Sequence, residues 1–329
     1  MHSNIDIVIP WVDGSDPEWK NLFEKYNTNS SLCDARSERY RDWGMMKYWF
    51  RGIEKFAPWV RKIHFITYGH IPKWLDVNNP KLNIVKHKDY IPNQYLPVFS
   101  ANPIEIFINR IKGLSEKFIY FNDDFFLISP IDSTFFFKKG KPRDAAVLNA
   151  LSPGGLSKIK MNDLDILNKH FYKKDVFLSH PLKWFNYKYG TTIFRTIALL
   201  AWPKFTGFMD HHAPTPYLKK TLDEVWKLEK VSLLETADAR FRSITDLNQY
   251  IFRYWQLCKG DFHPINFRRF YKYYEISNEN VDVIAKKITQ QHLKVLTLND
   301  ACELDFISCK IKLQAAFEHI LPTKSSFEI

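Results

Sequence analysis

The first third of the chain alternates β-rich runs with segments of helical periodicity, and this order limits the possible folds more than any other feature. Residues 5–12, 62–69, 82–87 and 118–124 are compact apolar runs typical of strands. Residues 42–58 and 102–114 place apolar side chains at helical spacing, and Asp16 can cap a helix that starts at Pro17. This alternation predicts an α/β fold with a mostly parallel, Rossmann-like sheet covered by helices.

Three polar clusters, WVDGSD, TYGH and FNDD, follow predicted strands. Parallel sheets bind ligands at the carboxyl ends of their strands, so we expect the three clusters to meet at one edge. In FIYFNDDFFLI (118–128), Asn122, Asp123 and Asp124 interrupt an otherwise apolar run. Buried carboxylates are costly unless paired, so these side chains are expected to face a ligand crevice. If the strand continues through Asp124, Asn122 and Asp124 share one face and Asp123 points to the other. A tight turn capped by Asx side chains is the alternative.

Beyond residue 150 the pattern becomes helical. After a loop at 152–158, helices are predicted at 162–171, 216–229, 245–258, 279–291 and 304–320. We therefore expect residues 1–150 to form a Rossmann-like half. Residues 151–329 are expected to form a mainly helical half that closes over the ends of the strands.

The net charge of +11 and the pI near 9.2 favour a phosphorylated or polyanionic partner. No Lys/Arg block has the length of a nucleic-acid-binding tail. The four cysteines show no metal-ligand spacing, which indicates a reducing cytoplasm. The most apolar stretch, 191–203, is too short for a membrane span and contains Arg195. Peripheral attachment to a membrane stays open.

Two stretches of the second half carry candidate chemistry. In MDHHAPTPYLKK (209–220), Pro214 and Pro216 stiffen the chain and can aim His212 into a cleft, although a structural histidine fits the same pattern. In ARFRSITDLNQY (239–250), Arg240 and Arg242 precede a predicted helix. Arginines beside a helix N-terminus make a good phosphate clamp, and surface arginines are the alternative.

The chain resembles the Stealth family of sugar-phosphate transferases, which includes bacterial capsular polysaccharide phosphotransferases and the lysosomal-enzyme N-acetylglucosamine-1-phosphotransferase. IDIVIPWVDGSDPEW resembles the first of the family's four blocks, and the stretch from RYRDWGMMKYWF to FIYFNDDFF resembles the second. NDLDILNKHF, FTGFMDHHAPTPYLK and FRSITDLNQYIFRYWQL are similar to the third block. KIKLQAAFEHILPTKSSFE is similar to the last. The resemblance thus reaches from end to end.

The resemblance implies transfer of a hexose-1-phosphate from a nucleotide-sugar, expected to be a UDP-sugar, to an acceptor hydroxyl of a growing polysaccharide or glycan. It also implies a GT-A-like fold, in which residues 1–150 bind the nucleotide-sugar and residues 151–329 complete one catalytic domain of an enzyme of capsular or exopolysaccharide synthesis. Peripheral contact with the inner membrane or the capsule assembly machinery is left open. The family's acidic pair matches Asp123 and Asp124, preceded by Asn122. Its catalytic histidine matches His212, and its essential arginine matches Arg242.

Further positions are carried over as substrate-binding residues. Asp13, Gly14 and Asp16 match the first block, near the nucleotide-sugar. Lys47 and Arg51 match basic positions of the second block.

The residue types suit this chemistry. A diphosphate donor needs charge neutralisation, either by arginines or by Mg²⁺ (or Mn²⁺) on Asp123 and Asp124. His212 is the natural general base and Asp124 is the rival. Two other classes remain open: a metal-dependent glycosyltransferase that releases UDP rather than UMP, and a basic nucleic-acid-binding protein. The second leaves the acidic pair unexplained, because carboxylates repel phosphates, so we expect no nucleic-acid partner.

Overall fold

The computed structural model describes residues 4–27, 41–301 and 304–329. The β-strands in this part of the chain are β1 (Ile5–Pro10), β2 (Ile63–Thr67), β3 (Leu82–Lys86), β4 (Lys117–Tyr120), β5 (Phe125–Leu127), β6 (Phe137–Lys138), β7 (Lys141–Asp144), β8 (Thr215–Leu218), β9 (His263–Pro264), β10 (Tyr271–Glu275) and β11 (Val295–Asn299). The α-helices are α1 (Pro17–Tyr26), α2 (Met46–Phe56), α3 (Ala101–Ile106), α4 (Ser157–His170), α5 (Lys173–Ser179), α6 (Pro181–Trp184), α7 (Ile193–Ala198), α8 (Lys219–Leu228), α9 (Lys230–Asp238), α10 (Tyr250–Cys258), α11 (Val281–Gln290) and α12 (Phe306–Ile320). The predicted α/β class is confirmed.

A five-stranded sheet in the order β3-β2-β1-β4-β8 forms the centre of the molecule. Its first four strands are parallel, and β8 pairs antiparallel with β4 at the edge. From β1 the chain extends the sheet through β2 and β3, and then returns to the other side of β1 with β4. The strand order therefore reverses between β1 and β4, which is where open α/β sheets form a ligand crevice.

Two hydrophobic cores lie on the two faces of this sheet. Ile5, Ile7 and Ile9 of β1 belong to one core and Val8 belongs to the other, as the alternation of a strand requires. The first core is completed by α2, α11 and α12, and the second by α3, α4, α8 and α10. Both cores use residues from before and after residue 150. Residue 150 therefore marks a change in the sequence pattern but not a boundary between hydrophobic cores.

The second half contains more β-structure than the sequence predicted. The prediction of a helix from residue 216 is wrong for its first turn, because Thr215–Leu218 form β8 and α8 begins only at Lys219. Pro216 is tolerated there because β8 is an edge strand and needs to donate hydrogen bonds on one side only. In addition, β11 lies between β10 and β5 in a second sheet, and β6, β7 and β9 form a third.

Several element boundaries differ from the predictions. The strand predicted through residue 124 ends at Tyr120, and the helix predicted for 102–114 ends at Ile106 and is followed by a short 3₁₀ helix (Ile108–Arg110). The predicted loop at 152–158 overlaps the start of α4 at Ser157, and α10 begins later than the predicted 245.

Cys258 and Cys309 are buried free thiols, whereas Cys33 and Cys302 lie outside the described residues. Within the described ranges, no helix has both the length and the apolar character that crossing a bilayer requires.

Candidate active site

A cavity of about 630 Å³ lies at the carboxyl ends of β1 and β4, where the strand order reverses. Its volume is in the range of small-molecule sites, which is roughly 300–1,000 Å³. The polar residues that line it include Arg41, Asp42, His87, Ser100, Asn122, Asp123, Asp124, His212, Arg242, Asn299 and Asp300. The structure thus brings the predicted acidic cluster, the predicted histidine and the predicted arginine to one cavity.

Asn122, Asp123 and Asp124 form a turn after β4. The Phe125 N–H donates to the Asn122 carbonyl at 3.2 Å, so the strand does not continue through Asp124. The structure therefore has a turn here, which was the alternative, and the division of these side chains between two faces of a strand does not apply. All three residues line the cavity. Surrounding protein and, after it, the neighbouring charge of Asp124 raise the pKa of Asp123, which is itself exposed.

The imidazole of His212 contacts this turn. His212 Nε2 lies 3.1 Å from Asp124 Oδ2, with 38% of the histidine side chain and 19% of the aspartate side chain exposed. The Tyr271 hydroxyl and Thr297 Oγ1 each donate to the His212 carbonyl at 2.6 Å, and the Phe125 ring packs edge-on against the imidazole. The histidine is thus held from the backbone and from one ring face, with its ring open to the cavity.

A buried ion network holds the chain just before His212. Arg253 donates two hydrogen bonds of 2.8 Å to Asp144 and one of 2.7 Å to Asp210, and Lys160 Nζ lies 2.6 Å from Asp210. Less than a tenth of the Arg253, Asp144 and Asp210 side chains is exposed. Since Asp210 is two residues from His212, this network fixes the segment that presents the imidazole.

Other histidines near the site are poor candidates for positive charge. Burial lowers the pKa of His87, which lines the cavity, and of His211 to about 4 in each case. Burial also lowers the pKa of His70. These three rings are therefore neutral at pH 7, and of the histidines named here His212 alone combines a place in the cavity wall with a carboxylate partner.

Arg242 reaches the cavity from a loop that precedes α10. The adjacent Phe241 stacks on Phe99 at a centroid distance of 5.1 Å, and the Phe99 N–H donates to the Arg240 carbonyl at 2.7 Å. Arg240 itself donates to the Leu96 carbonyl at 2.8 Å, so its role is to hold the loop. The predicted placement of Arg240 and Arg242 at a helix N-terminus is wrong, because α10 begins only after this loop.

Buried polar groups of α3 hold the same loop, and the sequence reasoning missed them. Asn102 Nδ2 donates to Asp246 at 2.7 Å, and Glu105 accepts from the Gln249 N–H at 3.2 Å and from the Tyr120 hydroxyl at 2.8 Å. Burial raises the pKa of Glu105 to about 7, although the hydrogen bonds from Tyr120 and Gln249 oppose the rise. The available signal was a carboxylate beside the apolar face of the predicted helix at 102–114.

The ends of β1 and β2 converge as predicted. The Asp13 N–H donates to His70 Nε2 at 2.8 Å, and Asp16 accepts from the Trp19 N–H at 2.8 Å as the N-cap of α1. At the end of β1, the described residues that line the cavity are Pro10–Val12. Asp13, Gly14 and Asp16 follow them in the chain. A substrate contact by these three residues stays a prediction.

The two predicted basic positions on α2 have different surroundings. The ammonium of Lys47 lies over the Tyr48 ring at 4.8 Å. Arg51 is buried, donates to Glu328 through two nitrogens at 2.8 Å, and also donates to Glu318 and to the Leu321 carbonyl. Arg51 is not among the described residues that line the cavity, so its placement does not support the predicted substrate contact. Its guanidinium instead holds the C-terminal segment against α2.

The sequence reasoning also missed a second charged pair in the wall of the cavity. Arg41 forms a bidentate ion pair with Asp300, with distances of 2.9 and 2.7 Å, and both residues line the cavity. The only sequence signal was the position of Asp300 at the end of an apolar run. Its partner is 259 positions away in the chain, so only the tertiary structure could reveal the pair.

Asp123 and Asp124 are the candidate ligands for a divalent cation. Asp124 Oδ1 is buried without a hydrogen-bond partner, and Asp123 lies beside it. Among the described residues, no group of three or more His, Cys, Asp or Glu side chains is arranged to hold a metal ion. Mg²⁺ is commonly bound by one or two carboxylates together with substrate phosphates. The pair therefore fits a metal shared with a phosphate ligand but not an all-protein metal cage.

Comparison with known proteins places the chain among bacterial polysaccharide enzymes. It matches the models of Stealth protein conserved region 1 over residues 3–31 and conserved region 2 over residues 39–144. It is 43% identical to the capsular polysaccharide phosphotransferase WcwK of Streptococcus pneumoniae, over 98% of both chains. It is 39% identical to the receptor polysaccharide phosphotransferase WefC of Streptococcus gordonii over the whole of both chains. It is also 37% identical to the exopolysaccharide phosphotransferase cps2G of Lactiplantibacillus plantarum, over 99% of this chain and 96% of that one.

A solved structure, the bifunctional glycosyltransferase WbbM in its apo form, aligns with 97% of this chain and 52% of its own, at 9% identity and a TM-score of 0.37. The full-length relatives and the two matched regions agree with the resemblance found in the sequence motifs. On these grounds the chain belongs to the Stealth family.

Proposed function

We propose that this protein is a sugar-1-phosphate transferase of capsular or exopolysaccharide synthesis. It would move a hexose-1-phosphate from a nucleotide-sugar, expected to be a UDP-sugar, to a hydroxyl of a growing glycan and release UMP. The observation that carries the proposal is the contact of 3.1 Å between His212 and Asp124 in a cavity that Arg242 also lines. The three relatives that align over nearly the whole chain are all named polysaccharide phosphotransferases, which supports the same reaction class.

His212 is proposed as the general base. When Nε2–H is donated to Asp124, the other ring nitrogen, Nδ1, can take the proton of the acceptor hydroxyl. Asp124 then orients the imidazole and stabilises the imidazolium that forms. The rival assignment, with Asp124 as the base, would protonate this carboxylate and so replace the charged acceptor of the His212 Nε2–H with a weaker, neutral one.

The proposed reaction makes one bond to phosphorus and breaks another. The acceptor oxygen bonds to the phosphorus that carries the sugar, and the bond from that phosphorus to the bridging oxygen breaks. The proton passes to His212, and the bridging oxygen leaves with the nucleoside monophosphate. Arg242, which lines the same cavity, would meet the negative charge that accumulates on the phosphoryl and leaving oxygens. Stabilising this charge is the main requirement of phosphoryl transfer.

Asp123 and Asp124 would hold Mg²⁺ or Mn²⁺ together with the donor diphosphate. Such a cation would neutralise phosphate charge, and it would lower the cost of two adjacent carboxylates in one turn. Turnover is then expected to disappear after chelation and to return with added Mg²⁺. Full turnover after exhaustive chelation would remove the metal from the proposal.

The nucleotide product distinguishes the two enzyme classes. Attack on phosphorus yields UMP from a UDP-sugar and a phosphodiester that is visible by phosphorus NMR. Attack on the anomeric carbon yields UDP and no new phosphodiester, and this result would replace the proposal with a glycosyltransferase. A panel of nucleotide-sugars in the same assay would identify the donor.

Variants test the two central residues. Asp124→Asn and His212→Ala are each expected to lower kcat by about 10²–10⁴-fold while the protein remains folded. His319→Ala, which changes an exposed histidine on α12, is the matched control and should keep normal turnover. Near-normal kcat in either active-site variant would show that its assignment is wrong, and loss of folding in His212→Ala would indicate a structural histidine.

The proposal also places the enzyme in the cytoplasm at the inner face of the membrane. A growing glycan and the capsule assembly machinery would be reached from there.

A further inference from the structure

Residues 172–202, which run from α5 through α6 to the segment after α7, expose an unusual amount of apolar surface. Nine of the nineteen large hydrophobic side chains that are exposed in the described chain lie in this stretch. The six most exposed are Tyr187 (85%), Leu182 (80%), Tyr172 (77%), Leu178 (69%), Phe194 (67%) and Trp202 (54%). We call this the 172–202 surface. Single exposed apolar residues are ordinary, but such a concentration marks an interaction site.

This stretch is a well-packed layer rather than a loose loop. Its inner side buries Phe177, Trp184 and Tyr189, and the Phe177 and Trp184 rings lie 4.7 Å apart. Lys173 Nζ donates to the Leu199 carbonyl at 2.7 Å, which ties the start of α5 to the end of α7. The layer therefore has apolar side chains on both sides. The inner set accounts for folding, so the outer set needs another explanation.

Positive charge accompanies the exposed apolar side chains. Within residues 172–204, Asp175 is the only acidic residue, against five lysines and one arginine: Lys173, Lys174, Lys183, Lys188, Lys204 and Arg195. Of these six basic residues, Lys173 is buried. Beside α6, the β6–β7 hairpin adds Lys138 and Lys139, both exposed, and Lys141 and Arg143. The charges of Arg143 and Lys138 reach Lys188 and help to lower its pKa, after the larger effect of burial.

We propose that the 172–202 surface and the basic β6–β7 hairpin bind the surface of an anionic lipid bilayer. Exposed Leu, Phe, Tyr and Trp side chains would enter the interfacial region, and the lysines would meet the lipid phosphates. This inference rests on the proposed location of the enzyme but not on the reaction it catalyses.

Two other partners fit less well. A second copy of this chain on the same surface would bring like charges of the hairpin together in an isologous contact. Nucleic acid would use the lysines but would leave the aliphatic side chains without a role, because its interfaces are highly polar.

Vesicle co-sedimentation of the whole chain without substrate tests the proposal. We expect binding to vesicles that contain phosphatidylglycerol, much weaker binding to pure phosphatidylcholine vesicles, and loss of binding at high salt. The variant Leu182→Ser/Tyr187→Ser removes the two most exposed apolar side chains, and Lys138→Glu/Lys139→Glu reverses two exposed charges. Each is expected to weaken binding by about tenfold or more.

Control variants distinguish vesicle binding by this surface from nonspecific hydrophobic binding and from the phosphotransfer reaction. Val231→Ser/Ile307→Ser, at two other exposed apolar positions (72% and 63%), should bind vesicles as the wild type does. Leu182→Ser/Tyr187→Ser should keep its UMP release on a soluble acceptor, so failure of lipid binding and failure of phosphotransfer are distinguishable. Absence of binding to anionic vesicles, or equal binding by the Leu182/Tyr187 and control variants, would overturn the proposal. A wild-type dimer that this variant dissociates, with no vesicle binding, would assign the surface to a protein contact.

Discussion

Arg253→Met is predicted to cost about 3–5 kcal/mol of unfolding free energy, the range for removing one partner of a buried ion pair. The guanidinium is 3% exposed and gives three charged hydrogen bonds of 2.7–2.8 Å to Asp144 and Asp210. Methionine fills much of the same volume but donates none of them. Lys160 can still pair with Asp210 at 2.6 Å, so most of the cost arises from Asp144, which loses both of its charged hydrogen bonds.

Urea unfolding followed by tryptophan fluorescence measures this loss, with Lys259→Met as the matched control at the C-terminal end of α10. Lys259 pairs with Glu224 at 2.6 Å, but 39% and 34% of these side chains are exposed, so that variant should lose at most about 1 kcal/mol. Equal losses in the two variants would refute the reasoning, because they would show that desolvation of the buried network cancels its pairing energy.

Three further predictions concern the site and its support. Burial raises the pKa of Glu105 from 4.5 to about 7. Between these two pH values the native state binds more protons than the unfolded state, so the contribution of Glu105 to stability is lost as the pH rises from 4.5 to about 7. Unfolding at several pH values should show a decline that Glu105→Gln lacks, up to about 3 kcal/mol. Arg242→Lys should lower kcat by about 10²-fold or more in the UMP-release assay, because lysine keeps the charge but loses the planar fork, and full activity would reduce Arg242 to a general electrostatic role. Gly207→Ala should cost about 1–3 kcal/mol in thermal unfolding, since φ is 141° and a Cβ would lie 2.8 Å from the Asn149 carbonyl oxygen. Gly113→Ala, with a φ of 81° and no atom within 4 Å of the added Cβ, is its control and should cost less.

Much of the architecture could be predicted because its signals are local. Apolar runs of strand length alternate with helical spacing, and this order forces a parallel sheet whose strand ends share an edge. Asn122–Asp124 were therefore correctly expected at a crevice. The motifs that carry His212 and Arg242 were found by resemblance, since residue type and spacing alone left structural roles open for both.

Local signals failed where partners are distant in the chain. Thr215–Leu218 belong to β8 because β4 offers an edge to pair with, and this pairing outweighs the local helical pattern. From sequence alone, Arg51 could not be distinguished from a ligand-binding arginine. The structure shows that it donates a hydrogen bond to Glu328, which is 277 positions away in the chain. In the sequence, Glu105 resembles any carboxylate of a helix, and only the tertiary structure shows that it is buried against Tyr120 and Gln249.

The sequence by itself determined the fold class, the family and the edge of the sheet at which the cavity lies, because periodicity and motif order are properties of the chain. Only the tertiary structure decided that Asp124 meets His212 across 88 positions, and that α3 holds the loop of Arg242. Such contacts depend on how the cores pack on the two faces of the sheet. That packing is set by the shapes of many distant side chains together, and no local pattern encodes it.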